Sequence, residues 1–194
     1  MINYNELFTA LKENLHIKEI QSTPEITREI KRFFVEKFNG YFVAPNNGTK
    51  EFMVDVFISN INPRKIHESN GQGLIPILAL ESELGGNGGG APGILKGNVF
   101  EDFAKLLVIQ SQYKVLIFTS LPYKEEQNHI ESRVQELYEY YDLSPCQENI
   151  LLVHLEAESQ KTKNNQQTNP KIHTKRENIS GYLLLKGVGV QNIA

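Results

Sequence analysis

Apolar residues recur at helical spacing over roughly the first forty positions of the chain. One apolar stripe predicts a helix that begins at Tyr4 and reaches Leu15. A second stripe predicts a helix that starts at Thr23, where Pro24 is suited to the first turn, and that stops at Asn39-Gly40. The chain therefore opens with two helices, each with one face to bury.

Shorter apolar stretches follow, and their length and β-branched content favour strands. The predicted strands are 40–44, 51–59, 74–83, 114–120, 150–156 and 181–186. Helical patterns at 98–111 and 124–141 separate three of them. This order predicts one α/β domain over residues 1–194, with a mixed central sheet flanked by helices.

Composition narrows the class of protein. The chain has 194 residues, of which 40% are hydrophobic and 22% charged, as expected for one globular domain. The net charge of -3 argues against indiscriminate nucleic-acid binding. Cys146 is the single cysteine, which excludes an internal disulfide and fits a reducing compartment. Without an apolar stretch of about 18 residues or a signal-peptide pattern, we expect a cytoplasmic protein.

The most informative local feature is Glu81-Ser82-Glu83, at the end of the apolar run 74–80. Residues two apart in a strand project to the same face, so both carboxylates interrupt an otherwise apolar surface. Carboxylates that face a core are costly unless something pairs with them, and a divalent cation is one good partner.

A second acid interrupts the predicted strand 51–59, where Asp55 is expected to share a face with Met53 and Phe57. If the strands 51–59 and 74–83 pair symmetrically about residue 68, Asp55 lies opposite Glu81. Asp55, Glu81 and Glu83 would then converge at one end of the strand pair. The alternative is purely structural: Glu83 is solvated at the strand end and Asp55 pairs with a lysine.

The order of helix, three strands, helix and strand resembles the core of the PD-(D/E)xK nuclease superfamily, to which many type II restriction endonucleases belong. Asp55, within Met-Val-Asp-Val-Phe, is similar to the first acid of that pattern. The sequence from Leu80 to Gly85 is similar to its acid–x–lysine motif. The resemblance covers residues 24–120 and implies a restriction-endonuclease-like α-β-β-β-α-β core.

This resemblance implies a nuclease that cuts DNA with Mg²⁺ or Mn²⁺ held by Asp55 and Glu81, the carbonyl of Ser82 being a further candidate ligand. Glu83 stands where the motif has lysine, as in some restriction endonucleases of this fold. Either Glu83 or Lys105, on the next helix, would orient or deprotonate the attacking water. Lys105 has an alternative role as a simple surface partner of Asp102.

Two further glutamates, Glu29 and Glu36, lie on the second predicted helix and are candidates for an outer acid of the site. The simpler explanation, which we favour, is that they are surface charges beside Arg28, Lys31 and Arg32. Many such nucleases cut as dimers, so the resemblance also implies a possible homodimer. The alternative function is a catalytically inactive relative that serves as a binding or assembly module.

Two polar segments complete the picture. Residues 85–97 are rich in glycine and are interpreted as a flap beside the acids. Residues 158–180 are interpreted as a flexible loop, in which 161–176 carry four lysines, one arginine and one histidine without an acid. This loop is either simply solvated or a basic arm that touches a phosphate backbone.

Overall fold

The computed structural model describes residues 3–18, 22–46, 49–85, 98–120, 128–158 and 171–193. The helices are α1 (Tyr4–Lys18), α2 (Thr23–Lys37), α3 (Asn98–Val108) and α4 (His129–Leu143). The strands are β1 (Phe42–Ala44), β2 (Val56–Ser59), β3 (Pro76–Glu83), β4 (Tyr113–Ser120), β5 (Ile150–Glu158), β6 (Lys171–Ile172), β7 (Ile179–Leu185) and β8 (Gly189–Ile193). Short 3₁₀ helices span Pro63–Glu68 and Arg176–Asn178. None of the helices in this part of the chain has the length and apolar character needed to span a bilayer.

The sheet is mixed, with strand order β1-β2-β3-β4-β5-β7-β8, and β6 pairs separately with β5. Strand β3 is parallel to β4 and β4 is parallel to β5, whereas the other pairs are antiparallel. Parallel neighbours need a long crossover, which α3 provides between β3 and β4 and α4 between β4 and β5. The predicted α/β class, with a mixed sheet flanked by helices, is confirmed.

Helices cover both faces of the sheet. The first core contains the buried residues of α1 and α2 and, from β3, Leu78 and Leu80. The second core contains the buried residues of α3 and α4 and, from β3, Ala79. Because side chains alternate along a strand, Glu81 continues the face of Ala79 toward α3. The acids of β3 thus lie on the α3 side of the sheet.

The register between β2 and β3 is the one expected for the acids. Val56 pairs with Leu80 and Phe57 with Ala79, which corresponds to symmetry about residue 68. The predicted start of the strand at residue 51 is wrong, because β2 begins at Val56. Met53 is 68% exposed and has a φ of 67°. Because this φ is positive, the chain is not extended directly before Asp55. Asp55 therefore does not share a strand face with Met53.

Other differences lie at element ends and outside the described ranges. Strands β6 and β8 were not expected, because each is short and only partly apolar. Helix α3 ends at Val108 rather than at residue 111. The glycine-rich residues 86–97 and the basic residues 159–170 lie outside the described residues. The rest of segment 158–180 contains β6, a 3₁₀ helix and the start of β7.

Candidate functional site

Asp55 and Glu81 are brought together where β2 begins and β3 ends. The backbone N–H of Asp55 donates to Glu81 Oε2 at 3.2 Å. This contact is a direct consequence of the register, since Val56 and Leu80, the next residues inward, are paired. The two acids that the sequence singled out are therefore neighbours, Asp55 directly before β2 and Glu81 on β3.

The carboxylate of Asp55 is held by β3 and approached by α2. Its Oδ2 accepts two hydrogen bonds from Ser82, one from the backbone N–H at 2.9 Å and one from the hydroxyl at 2.7 Å. Its Oδ1 lies 3.5 Å from Lys31 Nζ, a distance at the outer limit of a hydrogen bond. Lys31 makes its shorter contact with Glu51 Oε1, at 2.6 Å. The lysine partner expected by the structural alternative is thus present.

Glu81 is almost fully buried, with 2% of the residue exposed. Lys105 Nζ lies 2.9 Å from its Oε1 and also 2.7 Å from Asp102 Oδ1. The contact with Glu81 is close enough for an ion pair but is not a well-aligned hydrogen bond, since Oε1 has no such partner among the described residues. Burial raises the pKa of Glu81 to about 7; Lys105 opposes this rise, and the charges of Asp102 and Asp55 add to it.

Glu83 is half-buried rather than fully solvated at the strand end. Its Oε1 accepts a hydrogen bond from the backbone N–H of Gly85 at 3.1 Å. Burial raises the pKa of Glu83, hydrogen bonds from Gly85 and Asn98 oppose the rise, and the charges of Asp102 and Asp55 reinforce it. The charges of Asp102 and Asp55 therefore raise the pKa of Glu83 as they raise that of Glu81.

Four carboxylates form what we call the acidic cluster: Asp55, Glu81, Glu83 and Asp102. Among the described residues, the ammonium groups within 4 Å of these carboxylates are those of Lys31 and Lys105. Burial also raises the pKa of Asp102, although Lys105 opposes the rise. Four formal negative charges thus face two positive ones, and three of the four acids hold protons more tightly than usual. A bound divalent cation would remove this imbalance.

The helix α2 contributes a lysine to the site rather than an acid. Glu29 Oε1 accepts hydrogen bonds from Asn14 at 2.9 Å and from Arg32 at 2.7 Å. Glu36 lies 3.8 Å from Arg32 and is exposed. Neither glutamate is in contact with the acidic cluster among the described residues. Sequence reasoning missed Lys31, because a lysine on the polar face of a helix carries no signal of its distant partner.

The residues fit a hard cation in donor chemistry, since Asp55, directly before β2, and Glu81, on β3, present carboxylate oxygens close together. Each has an oxygen turned toward an ammonium group, which marks two positions where positive charge is accepted. The described ranges contain no group of three or more His, Cys, Asp or Glu side chains with the arrangement of a metal site. A site of this kind would therefore rest on two acids, with water, main chain or substrate as further ligands.

A scan against protein-family models and searches of curated proteins and of solved structures found no match to this chain.

Proposed function

We propose that the chain is a Mg²⁺-dependent nuclease that hydrolyses the phosphodiester bonds of DNA. The observation that carries the proposal is the acidic cluster, whose negative charge exceeds that of the two lysines in contact with it. The order α2, β1, β2, β3, α3, β4 also supports it, as this is the order in the restriction-endonuclease-like core. We expect Mn²⁺ to support the same activity as Mg²⁺, because both ions take oxygen ligands.

In this proposal Asp55 and Glu81 hold the cation. When bound, it supplies charge neutralisation at the phosphate and lowers the pKa of a coordinated water. Lys105 is an unsuitable base: although burial favours its neutral form, the hydrogen bond to Asp102 and the close contact with Glu81 outweigh that effect and raise its pKa. Its ammonium is instead suited to contact a phosphate oxygen.

Glu83 is then the candidate base. Its pKa is raised, mainly by burial, which brings it closer to the pH at which a base both exists in the charged form and accepts a proton efficiently. Its carboxylate is held by the N–H of Gly85, at the border of the glycine-rich segment. Catalysis by this chain thus divides among Asp55 and Glu81 for binding, Glu83 for the proton and Lys105 for the phosphate.

The test is a calorimetric titration of Mg²⁺ and Mn²⁺ into the wild type and into Glu81→Ala. DNA cleavage is assayed on the same samples. Binding and cleavage that both vanish in Glu81→Ala support the proposal. Glu148→Ala is a matched control, because Glu148 also pairs with a lysine but lies at the opposite end of the sheet. Loss of binding in Glu148→Ala as well would indicate a general structural effect.

The second candidate is a catalytically inactive module for binding or assembly. The observation that favours it is that Lys105 and Lys31 already contact Glu81 and Asp55, as structural ion pairs do. If the wild type binds neither Mg²⁺ nor Mn²⁺, even with DNA present, this candidate replaces the nuclease.

DNA as the partner is proposed partly from the basic residues 161–176, most of which lie outside the described ranges. Replacement of residues 161–170 by a neutral segment of equal length, which keeps β6, should weaken DNA binding and reduce its dependence on salt. Equal affinity and equal salt dependence would contradict a role of this segment. A homodimer, which would cut two strands with two sites, is tested by light scattering with and without DNA.

A further inference from the structure

The two carboxylate oxygens of Asp55 have different surroundings. Oδ2 accepts two hydrogen bonds from a single residue, Ser82, through its backbone N–H at 2.9 Å and its hydroxyl at 2.7 Å. Two donors on one oxygen define both the position and the rotation of the carboxylate group. The main chain of β3 supplies one of these two donors, and the hydroxyl of Ser82 supplies the other.

Among the residues that the structure describes, Oδ1 has one weak contact, to Lys31 Nζ at 3.5 Å. Lys31 is drawn instead to Glu51, at 2.6 Å. The main chain at Glu51 is itself fixed, because Arg64 donates to the carbonyl of Lys50 at 3.3 Å and to that of Glu51 at 2.7 Å. Glu51 thus holds the ammonium of Lys31 away from the open oxygen of Asp55.

We propose that Ser82 and Glu51 are positioning residues that keep Oδ1 of Asp55 available to a divalent cation. Ser82 occupies and orients Oδ2, and Glu51 restrains the lysine that would otherwise neutralise Oδ1. The inference rests on the proposed function, in which Asp55 holds the metal ion. The acid–x–acid spacing of Glu81 and Glu83 does not predict these roles. The role of Ser82 depends on its hydroxyl, and that of Glu51 depends on a glutamate far away in sequence.

The first test compares Mg²⁺ affinity by calorimetry in Ser82→Ala and Ser82→Thr. Ser82→Ala should weaken Mg²⁺ binding about tenfold, as expected for a lost hydrogen bond to a charged group. Ser82→Thr keeps the hydroxyl and should stay within about threefold of the wild type. Ser111→Ala is the control, because the hydroxyl of Ser111 also donates a hydrogen bond, in this case to the carbonyl of Tyr113 at the start of β4.

The second test uses Glu51→Gln and Lys31→Met, singly and together. Glu51→Gln should weaken Mg²⁺ binding, because Lys31 is released toward Asp55. Lys31→Met should then strengthen binding by a larger factor in the Glu51→Gln background than in the wild type. Both side chains are at least partly exposed, so the variants are expected to fold.

The outcomes separate this inference from the proposed function. If Glu81→Ala abolishes Mg²⁺ binding while Ser82→Ala binds as tightly as the wild type, the role of Ser82 is overturned and the nuclease proposal stands. If Lys31→Met has the same effect in both backgrounds, the role of Glu51 is overturned. Failure of the wild type to bind Mg²⁺ overturns the proposed function and this inference together.

Discussion

Two glutamates that pair with lysines at opposite ends of the parallel strands have pKa values shifted in opposite directions. At the start of β4, Lys114 Nζ lies 3.0 Å from Glu148 Oε2 and 3.0 Å from Cys146 Sγ. Burial acts to raise the pKa of Glu148, but its hydrogen bonds and the charge of Lys114 together outweigh burial, and the pKa is lowered. At the end of β3, Lys105 lies 2.9 Å from Glu81, yet the pKa of Glu81 is raised to about 7.

The difference lies first in burial, since Glu81 is 2% exposed whereas the side chain of Glu148 is 40% exposed, and then in how many acids share each lysine. Lys114 serves one carboxylate, whereas Lys105 is divided between Glu81 and Asp102, with Asp55 close by. The first arrangement is an ordinary structural ion pair around a buried lysine. The second leaves acids close to one another, and perturbed carboxylates of this kind are found at functional sites more often than elsewhere. The comparison therefore supports the proposal that the acidic cluster, and not the pair of Lys114 with Glu148, binds a cation.

The largest expected effect is on the structural end. Lys114→Ala should lower the free energy of unfolding by about 3 kcal/mol, because it removes a fully buried stem and leaves Cys146 and Glu148 without their partner. Lys105→Ala should change it by less than about 1 kcal/mol, since that side chain is 48% exposed. Urea denaturation measures both.

Lys114→Met separates the two causes in this experiment. It keeps most of the buried volume and loses only the ammonium group, so its effect should be smaller than that of Lys114→Ala. An effect of Lys105→Ala as large as that of Lys114→Ala would contradict the division of roles between the two ends.

The sequence predicted the architecture well where apolar periodicity is strong. Helices α1 and α2, strand β4 and the register of β2 on β3 agree with the prediction. The start of β2 was missed because Met53 is apolar but takes a positive φ, a backbone property that no hydrophobic pattern reveals. Strand β8 was missed because Gly189–Ile193 reads as a turn with few apolar residues.

The site was predictable only in part. The proximity of Asp55 and Glu81 follows from strand pairing and was expected. The contact of Lys105 with Asp102 follows from helical spacing, but its contact with Glu81 depends on how α3 lies on the sheet. The approach of Lys31 to Asp55 joins residues far apart in sequence, and Glu29, one of the two candidate acids of α2, pairs with Arg32. Long-range side-chain contacts of this kind leave no local pattern.

A smaller effect on the free energy of unfolding is expected at Glu81 in the acidic cluster, and this effect depends on pH. The ordinary pKa of Glu81 is 4.5 and its folded value is about 7, so between these values the native state holds more protons than the unfolded chain. Stability of the metal-free protein therefore falls as pH rises through this window. Glu81→Gln should raise the free energy of unfolding by about 2 kcal/mol near pH 8, and the gain should disappear near pH 4.5. Urea denaturation across this range is the measurement.

His154 imposes the opposite dependence and serves as the control for the pH series. Burial, with a smaller contribution from His129, lowers the pKa of His154 from 6.5 to about 3. Between these values the unfolded chain holds more protons, so stability rises with pH. The rise should be clearer in Glu81→Gln than in the wild type, and weaker in the double variant with His154→Gln. Parallel curves for Glu81→Gln and the wild type would show that Glu81 titrates normally.

The smallest effect, and the sharpest test of the comparison, is the sign of the matched change at the structural end. Glu148→Gln should lower the free energy of unfolding near pH 7 by about 1 kcal/mol or less, because the side chain of Glu148 is 40% exposed and solvent screens the pair. The pKa of Glu148 is lowered, so this stabilisation is present above its ordinary pKa of 4.5 and is lost as the pH falls through the lowered value. Urea denaturation of both variants in one buffer compares their signs. If Glu148→Gln and Glu81→Gln shift the free energy of unfolding in the same direction at neutral pH, the two lysine–glutamate pairs do not differ in kind. The acidic cluster is then no longer supported as a cation site.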